Sequence, residues 1–227
     1  MEDSKKLFLL DAYALIYRGY YAFIKNPRIN SKGTDTSAIL GFMNSLLEII
    51  RTQNPDYLAV AFDKGGSITR SKMFTEYKSN RDKTPEPILV AIPYIKDILS
   101  AMKIPILEKE GYEADDVIGT VAKDAENNNF KVFMVTPDKD FAQLVSDNVF
   151  LCKPARMGNS MEIWGVNEVK EKFEVEDPEQ VIDYLGMMGD SVDNIPGLPG
   201  VGDKTCLLYT SDAADEGLGV DLGGRRI

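Results

Sequence analysis

Three short apolar runs, Lys6 to Asp11, Tyr57 to Asp63 and Val132 to Val135, lead into aspartates, and helix-periodic segments separate them. This repeat constrains the fold more than any other feature of the chain. The runs do not alternate apolar with polar residues, so both of their faces must be covered, as in a parallel sheet packed between helices. The amphipathic pattern of Thr36 to Arg51 and a further helix at Ile88 to Met102 supply covering layers. Ligands of such sheets bind beyond the carboxyl ends of the strands, where Asp11, Asp63, Asp138 and Asp140 fall. One Asp after a strand is an ordinary turn residue. Three strands ending this way form a pattern.

The densest group of acids runs from Gly111 to Asp140. Gly111-Tyr-Glu-Ala-Asp-Asp-Val-Ile-Gly119 opens an apolar-periodic segment, so Glu113 and Asp116, three apart with Asp115 between them, share the first helical turn. Acids here also cap a helix N-terminus. Capping says nothing about Asp138 and Asp140 at a strand end, whereas a metal site calls for carboxylates at several element ends.

Histidine is absent from the 227 residues, which removes imidazole zinc sites, His-based triads and His general bases together. Clustered carboxylates without His or paired Cys suit Mg²⁺ or Mn²⁺. The two cysteines, Cys152 and Cys206, have no paired spacing and fit a reducing cytoplasm. No run approaches the roughly 18 apolar residues of a membrane helix, and Asp11 cuts the first apolar stretch short of a signal peptide. A net charge of −10 is unusual for a nucleic-acid partner.

Between Lys64 and Pro87 the chain turns basic, with Arg70, Lys72, Lys78, Arg81 and Lys83 interleaved with Phe74 and Tyr77. A loop or weak helix here could grip phosphates and a base, or present a solvated charged face balanced by Glu76 and Asp82. Further on, Trp164 to Phe173 and Pro178 to Met188 read as helices and Phe141 to Val145 as a short one. Asp190 and Asp193 then precede a Gly/Pro-rich hairpin, Gly197 to Gly202, followed by Lys204. Its exposed backbone N–H groups suit a phosphate backbone held without base readout.

Six motifs in order carry a resemblance: Phe8-Leu-Leu-Asp11, Ala61-Phe-Asp63, Tyr77-Lys-Ser-Asn-Arg81, Glu113-Ala-Asp-Asp116, Thr136-Pro-Asp-Lys-Asp140 and Gly189-Asp-Ser-Val-Asp193 with the hairpin after it. From about Lys5 to Thr205 the chain resembles the 5′ nuclease domain of bacterial DNA polymerase I, a relative of the flap endonucleases. The resemblance implies a metal-dependent phosphodiesterase acting at 5′ ends and flaps during replication and repair; a monomer is the default expectation beside it, with no membrane partner. It implies a PIN-like α/β domain over residues 1–175 with an arch at about 64–87, and a partial helix-three-turn-helix over 176–205.

By the same resemblance two Mg²⁺ or Mn²⁺ ions are held among Asp11, Asp63, Glu113, Asp115, Asp116, Asp138, Asp140, Asp190 and Asp193. Asp63, Glu113, Asp115, Asp138 and Asp140 are placed closest to the ions. Lys78 and Arg81 are implied as stabilisers of the scissile phosphate. DNA contacts are expected from Arg18, Arg70, Tyr77, Lys78, Arg81, Gly197, Gly200, Gly202 and Lys204, with a K⁺ ion at the hairpin. Setting the nine acids aside leaves the rest of the chain at −1, which leaves room for a basic DNA-facing side.

After Thr205 the sequence departs from the family. Cys206 to Ile227 has no amphipathic face and four glycines in its last 11 residues, which predicts a disordered tail and an incomplete duplex grip. Three rival readings stand beside the nuclease. A haloacid-dehalogenase-type phosphatase needs an acid two residues after Asp11, where Tyr13 stands. A PIN-type ribonuclease shares the acids but not the hairpin. A DNA-structure binding module would keep the cleft without cutting.

Overall fold

The computed structural model describes residues 4–154, 161–202 and 205–206. Six strands, β1 (Lys6–Asp11), β2 (Tyr57–Ala61), β3 (Ile106–Leu107), β4 (Lys131–Val135), β5 (Val149–Lys153) and β6 (Glu162–Trp164), form one sheet. Their order is β3-β2-β1-β4-β5-β6, parallel throughout except for the β5–β6 pair.

The non-alternating runs are buried on both faces because helices cover both. Phe8, Leu10 and Val60 pack with α1 (Ala12–Phe23), α2 (Ser37–Gln53) and α4 (Glu86–Ala101). Leu9, Val132, Met134 and Leu151 pack on the other face with α5 (Ala114–Asn127), α6 (Val166–Phe173) and Val181 of α7 (Val181–Met188). Strand register places Phe8 beside Phe133 and Phe133 beside Phe150, and their rings stack at 4.6 and 5.2 Å between centroids. Each such cross-strand aromatic pair adds about 0.5–1.5 kcal/mol beyond its burial.

The chain builds outward from β1 through β2 to β3, then returns through α5 to β4 on the other side of β1. That reversal opens a crevice beyond the carboxyl ends of β1 and β4, where open α/β sheets place ligands.

Two helices of the first layer cross unusually closely. A Cβ on Gly19 of α1 would lie 2.9 Å from the Cα of Gly41 in α2, and one on Gly41 only 2.2 Å from the Cα of Gly19. Only hydrogen fits at the crossing.

Expectation and structure differ at the far edge of the sheet. Trp164 does not start a helix; it ends β6, paired with Leu151 of β5 in an antiparallel register. Its indole is buried there, and the Lys153 ammonium sits 3.5 Å from its ring centroid. Three residues are too few for a period-2 pattern to register in sequence. The helix itself begins at Val166, where the Glu168 carboxylate accepts from the Gly165 N–H at 2.8 Å. The expected helix at Phe141 to Val145 is a 3₁₀ turn, Lys139–Leu144, and the expected Pro178 to Met188 helix opens as a 3₁₀ turn at Pro178–Gln180.

Beyond α7 the chain folds back on itself. Asp190 and Ile195 exchange both backbone hydrogen bonds, at 2.9 and 2.7 Å, closing a tight loop. Gly197 presses on the end of α7, since a Cβ there would fall 2.2 Å from the Met188 carbonyl oxygen. Lys204 and residues 207–227, including most of the expected tail, lie outside the described residues.

Candidate metal centre

The crevice collects acids from five separate segments. Asp11 ends β1 and is buried, 8% exposed. Its carboxylate accepts from the Ala14 N–H at 3.1 Å, which caps α1, and from the Thr136 hydroxyl at 3.0 Å. Asp63, just past β2, accepts from the Ala114 N–H at 2.6 Å, so the start of α5 is tied to the end of β2. Asp138, past β4, accepts from the Asp140 N–H at 3.0 Å.

At the head of α5 the capping reading and the functional one coincide. Glu113 is the N-cap, and Asp116 accepts from the Glu113 N–H at 3.0 Å, closing a capping box. Asp115 points elsewhere, among the strand-end acids. Among the described residues no hydrogen bond or ion pair holds its carboxylate or that of Asp140.

The electrostatics follow from that grouping. Burial, then Asp11, Asp138 and Asp63, push the Asp115 carboxyl up to about 8. Burial, then Asp138 and Asp190, push Asp140 up to about 6, and burial raises Asp11 to about 6 against the pull of its hydrogen bonds. Asp63 is raised too, by burial foremost and by Glu113. Carboxylates that repel one another in a half-buried crevice favour a counter-cation. The donors are all oxygen, which fits a hard divalent ion. Among the described residues no three of these side chains stand close enough, as placed, to enclose one.

The basic stretch after β2 is turned inward onto three of these acids, Glu113, Asp116 and Asp193, and not left as a solvated face. α3 (Ile68–Met73), capped by Ser67, carries Arg70 into the crevice. Its guanidinium grips both oxygens of Asp116, at 2.7 and 3.0 Å, and donates to Glu113 at 3.0 Å. The Tyr77 hydroxyl lies 2.9 Å from Glu113 and 3.1 Å from Asp193. Proximity to these carboxylates, after burial, pushes its pKa well above the usual tyrosine range. Lys78 donates to Glu113 at 2.7 Å and lies 3.5 Å from Asp193, and Arg81 pairs with Asp193.

Backbone contacts hold this arch in place. Lys78 adopts a left-handed conformation, φ 57°, with its N–H on the Asp193 carbonyl at 2.9 Å. Bulky side chains seldom sit there, and both ends of Lys78 are tied into the site. Asn194 donates to the Glu76 carbonyl at 2.8 Å, and Asn80 donates to the Ser191 carbonyl at 2.8 Å. Tyr17 of α1 donates to the Thr84 hydroxyl at 3.0 Å, pinning the far leg of the arch.

A groove of about 450 Å³ runs from Asp140 and Asp193 past Asp115 and Asp116, along α5 to Thr120 and Lys123. The expected site residues Asp11, Asp63, Glu113, Asp115, Asp116, Asp138, Asp140, Asp190 and Asp193 meet at this end of the sheet, and Arg70, Tyr77, Lys78 and Arg81 face them. Arg18 lies apart, lining a smaller cavity with Ser45, Glu48 and Thr52 of α2. Gly197 packs against α7, whereas Gly200 and Gly202 face open space. Sequence reading passed over Thr136 and Asn194 as contributors. Thr136 sits inside a motif whose acids drew the attention, and an Asn in a turn carries no signal of what it will bond.

Comparison with known proteins agrees with this architecture. Residues 6–174 match the family described as 5′-3′ exonuclease, N-terminal resolvase-like domain, and residues 176–210 match 5′-3′ exonuclease, C-terminal SAM fold. The second match continues past Thr205, where the motif resemblance stops. A 5′-3′ exonuclease of Aquifex aeolicus is 43% identical over 203 residues, covering 89% of this chain and 68% of that protein. DNA polymerase I of Bacillus subtilis is 42% identical over 208 residues, covering 91% of this chain but only 23% of the polymerase. Among solved structures, T5 5′-exonuclease with bound zinc ions superposes with a TM-score of 0.73 at 24% identity, covering 92% of this chain and 75% of that one. The catalytic core of Rad2 in complex with DNA substrate gives 0.58 at 18%, covering 92% and 62%. Both share the PIN-like fold, a central sheet flanked by helices.

Proposed function

The chain belongs to the 5′-3′ exonuclease family, and from that membership we propose that it hydrolyses phosphodiester bonds at the 5′ ends and flaps of DNA, with two Mg²⁺ or Mn²⁺ ions held in the crevice. The observation that carries this reading is the convergence of acids from β1, β2, α5, β4 and the 190–195 loop on one crevice, faced by arch cations. Asp11, Asp63, Asp138 and Asp140 at the strand ends and Asp115 at the head of α5 supply a crowded carboxylate set, and Glu113, Asp116, Asp190 and Asp193 rim it. Divalent cations bound there would supply Lewis-acid polarisation of a phosphoryl group and offset the mutual repulsion of the acids.

The chain's own residues do the rest. Lys78 and Arg81 lie across from the acids and would meet a phosphate lying between them, stabilising its developing negative charge. Thr136 and the Ala14 N–H fix Asp11, so its carboxylate is oriented before substrate arrives. The groove along α5 gives a strand a path away from the acids, toward Lys123. The Gly197–Gly202 segment would hold duplex phosphates through backbone N–H groups, with a K⁺ ion at that hairpin. Residues 1–175 would then be the nuclease domain, with 64–87 its arch, and 176–205 part of the duplex grip.

The test is cleavage of a 5′-labelled flap DNA by the purified chain in Mg²⁺ and in EDTA, scored beside a nicked duplex and a blunt duplex. Metal-dependent release of short 5′ products from the flap supports the proposal. A chain that binds the flap without cutting it in Mg²⁺ or Mn²⁺ overturns it.

A further inference from the structure

The nine acids of the crevice fall into two groups by what they touch. Asp115 and Asp140 have no partner among the described residues; Asp63, Asp138 and Asp190 each accept one backbone N–H, and Asp11 accepts from the Ala14 N–H and the Thr136 hydroxyl. Glu113, Asp116 and Asp193 are instead saturated by the arch. Arg70 covers both oxygens of Asp116 and one of Glu113; Lys78 covers the other oxygen of Glu113; Arg81 and Tyr77 cover the two oxygens of Asp193. An oxygen pointing at a guanidinium is not pointing at an ion in the crevice.

We propose that Arg70 is a positioning residue for ion loading: its two-pronged contact holds Glu113 and Asp116 on the arch, so that a divalent cation and the arch compete for the same carboxylates. The geometry makes Arg70 the hub. Among the arch residues it alone reaches both acids at the head of α5, and it does so from a helix capped by Ser67, not from the looser turns that carry Lys78 and Arg81. Asp116 pivots between two uses, since the same Oδ2 that accepts from Arg70 accepts from the Glu113 N–H. Released from Arg70, Asp116 keeps its capping bond through Oδ2 while its Oδ1 loses its partner, and Glu113 is left to Lys78 and Tyr77 alone. Competition of this kind is reciprocal: an ion that binds more tightly when the arch lets go must loosen the arch by the same factor.

This inference rests on the reading of the crevice as a metal centre, and its test separates the two. Mn²⁺ binding to the DNA-free chain is measured by titration calorimetry for wild type, Arg70→Gln, Arg70→Lys and Lys72→Gln, with folding checked by circular dichroism. Lys72 is an exposed cation on the same short helix with no partner among the described residues. It therefore reports the generic effect of removing a positive charge.

Arg70→Gln is expected to bind Mn²⁺ about tenfold more tightly, within the range of ordinary linked sites, and Arg70→Lys to fall between it and wild type. Lys72→Gln is expected to stay within about twofold of wild type, because an exposed charge is screened. In wild type, saturating Mn²⁺ should speed tryptic cutting after Lys78 and Arg81, a readout that needs no variant to fold. Equal tightening by Arg70→Gln and Lys72→Gln, unchanged affinity in Arg70→Gln, or protection of the arch by Mn²⁺ overturns the Arg70 assignment alone. No Mn²⁺ binding by any form overturns the metal centre and this inference together.

Discussion

The hydroxyl of Thr136 donates to the carboxylate of Asp11 at 3.0 Å with both side chains buried, a bond that joins the carboxyl ends of the two central strands. Thr136→Val keeps the shape and removes the donor, leaving a buried carboxylate oxygen short of a partner. The expected cost is about 1–3 kcal/mol in urea unfolding. Because that bond favours the ionised form of a group whose pKa is about 6, the deficit should widen as pH rises through that value. An equal deficit on both sides of it would show that Thr136 acts by packing.

Stability of the ion-free chain should fall with rising pH. Asp115 titrates at about 8 in the folded chain against 3.8 for an ordinary Asp, and Asp11 and Asp140 at about 6. Between those values the folded state holds protons that the unfolded state has released, so each unit of pH costs stability. Thermal melts in EDTA should therefore drop from about pH 5 to about pH 8, and saturating Mg²⁺ should flatten the slope. A slope indifferent to Mg²⁺ would remove the crevice acids as its cause.

Asp115→Ala separates binding from chemistry. Cleavage of the labelled flap should fall by about 100-fold or more, the scale for losing one charge-stabilising group at a reacting centre, while flap binding in a gel-shift assay stays near wild type. In EDTA at about pH 8 the same variant should melt higher than wild type, since it deletes a group the fold raises by burial and like charge. Wild-type cleavage by Asp115→Ala would end its assignment to the site.

Two glycines of the C-terminal segment should respond oppositely to alanine. Gly186 lies inside α7, and a Cβ there meets nothing within 4 Å, so Gly186→Ala should stabilise by about 0.5–1 kcal/mol. Gly197→Ala drives a Cβ into the Met188 carbonyl, 2.2 Å away, and should destabilise by about 1–3 kcal/mol. Similar melting temperatures for the two would mean that the 190–197 loop does not rest on α7.

What the sequence determined by itself was local. Short apolar runs without alternation specify buried parallel strands, and the runs read as Lys6 to Asp11 and Val132 to Val135 match the strands Lys6–Asp11 and Lys131–Val135 to within a residue. The acids at those ends and at the head of α5 were legible because position relative to an element end is a sequence property. The tertiary structure alone decided three things that no period or spacing encodes. A basic loop looks the same whether it faces water or carboxylates, and only folding sets Arg70 against Glu113, 43 residues away, and Arg81 against Asp193, 112 residues away. Arg18 reads as a cation on the first helix, yet the crossing of α1 over α2 turns it into a separate cavity. The need for bare glycines at positions 19 and 41 arises only where two helices meet. Periodicity reports which face of an element is apolar, but pairing partners are chosen by distances that exist only once the layers have packed.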